Sequence, residues 1–252
     1  MAGIGSGRLL MWRGGSVWLG RDAGQATAHA HHALQVTLAP RHAVRLRRDA
    51  SEAWLETPAA IVLPEQPHEF DGLGSVVVML FVEPETAAGR ALVARFEDAG
   101  IAPLDHPALL QEAEALLAAS EAGADDDALI EAAMAMVAHA SGAPAAANAV
   151  DRRVNASLEW IHDHLDAPIS LAQAAAVAHL SPSRFRHLFV AQTGISFRAY
   201  LLWTRVRRAV LEGLAGGSWT AAAQQAGFAD SAHLSRTCRR MFGIAPTAFG
   251  RD

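Results

Sequence analysis

Between residues 171 and 251 ten arginines stand against two acidic residues, and two short helical stretches there set some of them on repeating faces. In residues 182–193 the apolar stripe Phe185, Leu188 and Phe189 is opposed by Ser183, Arg186 and His187, both groups spaced i, i+3, i+4. In residues 231–242 Leu234, Cys238 and Met241 share an inner face, while Ala232, His233, Arg236 and Arg240 project outward. A narrow apolar stripe opposed by short polar and guanidinium groups suits a helix lying in the major groove of DNA. There Arg186 or Arg236 can pair with guanine, and the histidines and serines offer smaller polar contacts. A second grouping carries different chemistry. His29 and His31, two apart on a strand, point to the same face, and neutral imidazoles suit Zn, Ni, Cu or Fe.

The charge distribution divides these two chemistries. The chain has 252 residues, of which 51% are hydrophobic and 19% charged, enough for a packed core and usually for two domains. Its net charge of −5 conceals 9 arginines against 20 acids in residues 1–151, and 12 against 6 in residues 152–252. There is no lysine. A basic module for a polyanion, attached to an acidic module with another task, is the expectation. One cysteine, Cys238, excludes an intrachain disulfide framework, and its place on an inner face makes it a small core residue ahead of a redox sensor. With no signal-peptide pattern in the first twenty residues and no 18-residue apolar run, a cytoplasmic protein without membrane insertion is expected.

Residues 8–82 read as short strands at 17–19, 34–38, 44–46, 61–63 and 76–82, punctuated by Gly14-Gly15, Ala39-Pro40, Pro64–Pro67 and Asp71-Gly72. An antiparallel barrel or sandwich follows from that pattern. Helical spacing then appears over 85–99, 107–120 and 125–140, the last opening on three aspartates that suit a helix N-terminus. Packing against the barrel and a dimer face are both open to these helices. Residues 141–150 read as a linker, between a module at 1–140 and an all-helical module at 151–252. The fold class is α+β.

Within the helical module, residues 169–194 and 218–243 share a plan. Each begins with Ser or Thr, runs through an Ala-rich helix, turns, and enters an Arg-bearing helix that ends at Gly. Small residues on the first helix allow the second to cross it closely, and Ser181-Pro182 is a good helix start. A helix over about 196–214 joins the two, bearing Tyr200, Arg205 and Ala209, and the closing run carries Gly227, Phe228, Asp230, Leu234, Ser235, Arg236, Arg239, Arg240, Phe242, Gly243 and Pro246. Over residues 152–251 this resembles the AraC family of bacterial transcription regulators, which implies two helix-turn-helix units on double-stranded operator DNA. The resemblance places base reading on Ser183, Arg186 and His187 and on Ser231, Ala232, His233 and Arg236. Phosphate contacts suit Arg184, Arg239 and Arg240. Cys238 and Phe249 depart from the family pattern, which has an aromatic and a tyrosine there.

The run Gly24-x4-His29-x-His31-His32-x2-Gln35, with Pro64-x2-Pro67-His68 after it, resembles the cupin-type sensory domain of many AraC-family regulators. In metal-binding cupins an H-x-H pair, a carboxylate and a later histidine converge. Here Gln35 stands in the carboxylate's place. The resemblance therefore implies either an effector pocket walled by His29, His31, Gln35 and His68, or a divalent metal held there. It also implies a homodimer, a small-molecule effector, RNA polymerase as partner if the protein is an activator, and no catalysis. The alternative is a metal-dependent cupin enzyme or sensor fused to a DNA-binding module.

Overall fold

The computed structural model describes residues 5–97, 99–144 and 150–249. By compactness the chain divides into two units, residues 1–147 with 238–252 and residues 148–237. The first break adjoins the stretch read as a linker, of which residues 145–149 lie outside the described residues.

The first unit is built on an eight-stranded antiparallel sheet in the order β1-β2-β7-β3-β6-β8, with β4 pairing β7 and β5 pairing β4. Its strands are β1 (Ser6–Trp12), β2 (Gly15–His29), β3 (Leu34–Leu38), β4 (Val44–Arg47), β5 (Leu55–Thr57), β6 (Ala59–Val62), β7 (His68–Val82) and β8 (Ile101–Pro103). The expected strands at 17–19 and 76–82 are the apolar ends of β2 and β7, which each run to 15 residues. Their polar halves form strand because they pair with each other. Three register shifts keep that pairing going, between Gly20 and Ala23, Ala23 and Gln25, and Ala26 and His29. Each shift bends the ladder and sharpens its twist. β7 then pairs with β3 at Val78–Val82 and with β4 at Glu69–Asp71, so the two long strands carry a different neighbour at each end.

Three helices cover this sheet: α1 (Ala87–Phe96), α2 (Pro107–Glu121) and α3 (Asp126–Ser141). Thr86 caps α1 by accepting from the Gly89 amide at 2.9 Å, and Asp125 caps α3 by accepting from Ala128 at 2.8 Å. Asp126 and Asp127 follow in the first turn, where the positive end of the helix dipole favours them. Leu109, Ala113, Leu116 and Leu117 of α2, with Leu129, Ala133, Met136 and Val137 of α3, share one apolar core with Leu34, Val36, Leu38 and Leu80 of the sheet. The helical spacing of residues 107–140 is thus used for packing on the sheet. Each large aliphatic side chain buried this way contributes about 1.5–3 kcal/mol.

Helices α4 (Arg152–Asp163), α5 (Leu171–Val177), α6 (Pro182–Thr193), α7 (Phe197–Leu214), α8 (Trp219–Gln225) and α9 (Ser231–Phe242) follow. Ser170, Ser181, Ser196 and Ser218 cap α5 to α8 in turn, and at α5 the Ser170–Gln173 capping box is complete. Phe185 and Phe189 are fully buried with Val154, Ile161, Ala174, Ala175 and Tyr200. Cys238 is also fully buried, and burial pushes its thiol up to about 12, as expected of a core residue rather than a reactive one. Among the described residues no helix is long and apolar enough to cross a membrane.

Candidate nucleic-acid interface and histidine cluster

The two helix-turn-helix units repeat the same local geometry. On α5 the buried small residues are Ala174 and Ala175; on α8 they are Ala222 and Ala223. Absence of bulk at these positions lets each following helix cross closely. Both first helices end in a paired backbone closure. In the first unit His179 donates to the Ala176 carbonyl at 3.0 Å and Leu180 to Ala175 at 2.9 Å. In the second, Gly227 donates to Gln224 at 3.0 Å and Phe228 to Ala223 at 2.9 Å. This closure requires a left-handed residue, supplied by Gly227 at φ +77° and, without the freedom of glycine, by His179 at φ +53°. No local sequence pattern marks that backbone role for His179. Gly227 meets a second demand, because a Cβ there would lie 3.0 Å from the half-buried Arg205 guanidinium of α7.

The outward faces match expectation for most positions. Ser183, Arg184, Arg186 and His187 of α6 are exposed, as are Ala232, Arg236, Arg239 and Arg240 of α9. His187 is tied to its own helix, its Nδ1 donating to the Ser183 carbonyl at 2.8 Å, which leaves Nε2 to face outward chemistry. Ser231 and His233 are half-buried instead. Asp230 Oδ1 accepts from the His233 amide at 2.6 Å at the start of α9, and the His233 ring lies edge-on to Phe228 with centroids 5.1 Å apart. That contact draws the ring toward the turn. Exposed guanidinium groups on these two helices can meet phosphate oxygens or guanine edges.

In the sheet unit His29, His31 and His68 form one cluster, each offering a ring nitrogen within 4.8 Å of the others. The expected placement of His29 and His31 on one strand needs correcting. β2 ends at His29, and His31 stands in the connection to β3. The two rings still converge because His31 Nδ1 faces the Ala33 carbonyl at 2.7 Å, which turns the ring inward. His68 opens β7 as the register partner of His29. Ring centroids lie 4.1 Å apart for His29 and His68, 5.2 Å for His31 and His68, and 5.6 Å for His29 and His31. Gln35, buried on β3, brings Oε1 to 3.1 Å from His31 Nε2 and donates from Nε2 to Thr37 Oγ1 at 2.8 Å. All four residues suggested for this site therefore meet.

Burial governs their charge. It pushes His29 down to about 3, aided by His31, and holds His31 below the usual histidine range. Burial, then His29 and His31, pushes His68 well below that range. The cluster is neutral, with lone pairs available to a cation. Beside it is a pair that sequence reasoning missed: His32 Nε2 and Glu85 Oε2 are 2.9 Å apart and both 2% exposed. Burial opposes the charge on His32, but Glu85, with Glu83 and Glu65 behind it, prevails and raises its pKa. No spacing rule connects residues 32 and 85; tertiary structure alone does. Trp54 is half-buried beneath the guanidinium groups of Arg47 and Arg45, at 4.3 and 5.4 Å from its ring.

A helix-turn-helix domain family model matches residues 174–252. The chain is 34% identical over 91 residues to the probable transcriptional regulator LumQ of Photobacterium leiognathi, covering 36% of this chain and 37% of that protein. It is 32% identical over 102 residues to the arabinose operon regulatory protein of Escherichia coli, covering 40% and 35%. The chain thus spans little more than a third of the length of the curated relatives it matches. Crystal structures of ToxT from Vibrio cholerae share the fold. An apo variant gives a TM-score of 0.63 at 9% identity, covering 95% of this chain and 97% of that one. The wild-type form bound to unsaturated fatty acid gives 0.53 at 12%, covering 92% of each. The carboxy-terminal region of this chain thus carries a helix-turn-helix domain, and over that region it is similar in sequence to the arabinose operon regulatory protein.

Proposed function

We propose that the protein is a sequence-specific DNA-binding transcription regulator whose amino-terminal sheet unit senses a small molecule or metal. The observation that carries the reading is the repeated unit itself. Two small-residue helices, two identical turn closures and two arginine-bearing outer faces fall within a segment of ten arginines and two acids. A helix-turn-helix pair of this kind sets its second helices into adjacent major-groove segments about 34 Å apart.

In this reading Arg186 and Arg236 read bases, with Ser183, His187, Ser231, Ala232 and His233 as smaller contacts. Arg184, Arg239 and Arg240 hold phosphate. The position of His233 over Phe228 gives it the weaker contact of the two outer histidines. The module boundaries near residue 150, a cytoplasmic site of action, a homodimer and, for an activator, contact with RNA polymerase belong to the same proposal.

Fatty acid is named as the ligand of ToxT in one of its structures, which supports effector binding in the shared fold without naming the ligand here. Selection of bound duplexes from a random pool, at stated salt, tests the central claim because charge attraction alone enriches nothing. A recovered motif is the expected result. A pool that stays random overturns the reading.

A further inference from the structure

The histidine cluster has features that an ordinary packed core does not need. Each ring turns Nδ1 to a backbone carbonyl: His29 to Thr27 at 2.7 Å, His31 to Ala33 at 2.7 Å and His68 to Gln66 at 3.0 Å. A carbonyl accepts only, so each neutral ring carries its proton on Nδ1 and keeps its lone pair on Nε2. Orientation by an outer hydrogen bond of this type is the usual second shell of metal-binding histidine. His68 Nε2 is buried and has no hydrogen-bond partner. An orphaned acceptor in a core of this kind is destabilising unless something meets it.

His31 adds a second sign. With its proton on Nδ1, Nε2 and Gln35 Oε1 face each other as two acceptors 3.1 Å apart. End-for-end rotation of the amide resolves this in metal-free protein. A cation resolves it without rotation, since ligands with bonds of about 2.1 Å sit roughly 3.0–3.4 Å apart around one ion.

We infer that His29, His31 and His68 hold a divalent transition-metal ion, with Gln35 as a neutral fourth donor, and that the ion takes a small anion as its remaining ligand. The anion follows from charge. Three imidazoles and an amide leave the full double charge on the ion, and burying an uncompensated charge is unfavourable. His29, at 8% the most exposed of the three histidines, marks the side nearest solvent. The ion supplies Lewis acidity, and the chain's residues orient it and set its charge. This inference draws on the sensing role proposed for the sheet unit, but metal binding is read without DNA, so the two can fail separately.

The test uses the full chain, purified without a polyhistidine tag and stripped of metal, titrated with Co2+ and then with azide as the anion probe. One Co2+ per chain with visible ligand-field bands, shifted by azide, is expected. His68→Ala and His68→Asn, each checked for native circular dichroism, should weaken binding by roughly 10–100-fold or more. Gln35→Glu, which supplies the missing negative charge, should tighten Co2+ binding by roughly tenfold and blunt the azide shift. No saturable binding by folded wild type, or binding indifferent to both His68 variants, overturns the metal site. Bands blind to azide in wild type overturn the anionic ligand.

Discussion

His29 and His68 are register partners across β2 and β7, and their ring centroids lie 4.1 Å apart. The pairing joins residues 39 positions apart at the point where β2 ends and β7 begins. Because the same ladder runs on to Gly15 and Val82, the apolar ends of the two strands position the histidines at the other ends. Packing energy from the core is in this way converted into the geometry of a buried polar site.

Base reading and phosphate holding give different mutant behaviour. Arg236→Ala and Arg186→Ala should each weaken the selected duplex by about 1–3 kcal/mol and relax preference at one base pair. Titration against single-base variants of the recovered motif checks this. Equal loss on every sequence would reassign the side chain to the backbone.

Arg240→Ala should behave in the opposite way. All sequences should weaken alike, and the dependence of log affinity on log salt should fall by about one. The slope, measured across a salt series, decides. An unchanged slope with loss at one base pair contradicts the phosphate role.

Asp71 ties three strands together. Its carboxylate accepts from Arg45 at 2.6 Å, Gln25 at 3.1 Å and the Leu73 amide at 3.0 Å. Burial pushes its pKa up, but the Leu73, Arg45 and Gln25 hydrogen bonds outweigh burial and hold it below the usual carboxylate value. A depressed native pKa stabilises the fold above the unfolded value, near 3.9, and the contribution fades as pH falls through the native value. Denaturant unfolding of wild type and Asp71→Asn should differ most at neutral pH and converge in acid. A gap that widens in acid would contradict the sign.

The His32–Glu85 pair is buried on both sides, so removing one charge strands the other. Glu85→Gln should destabilise by about 3–5 kcal/mol, whereas the apolar double variant His32→Leu with Glu85→Leu should lose less than either single change. Urea unfolding of wild type, His32→Leu, Glu85→Leu and the double variant reads the coupling. Additive losses would show that the two groups act apart.

The helical module was legible because its signals are local. Ser181 before Pro182, the Ala pairs of α5 and α8, and the i, i+3, i+4 faces of α6 all act within a few residues. Spacing placed Phe185 and Phe189 inside and Arg186 outside, and both placements agree with the structure. β1, β5 and β8 were missed, since Ser6–Trp12 mixes apolar, polar and glycine positions and the other two span three residues each. Their strand character comes from the partner each pairs with.

By itself, then, the sequence determined the two helix-turn-helix units and which arginines of α6 and α9 face outward. A helix closes its hydrogen bonds four residues apart and carries its pattern in one short window. Tertiary structure decided what no window contains: that His31 leaves the strand yet rejoins His29 and His68, that Glu85 meets His32, and that His179 adopts a left-handed turn. Those outcomes depend on strand pairing and packing between distant segments, where the loss of chain freedom is repaid only once the whole core assembles.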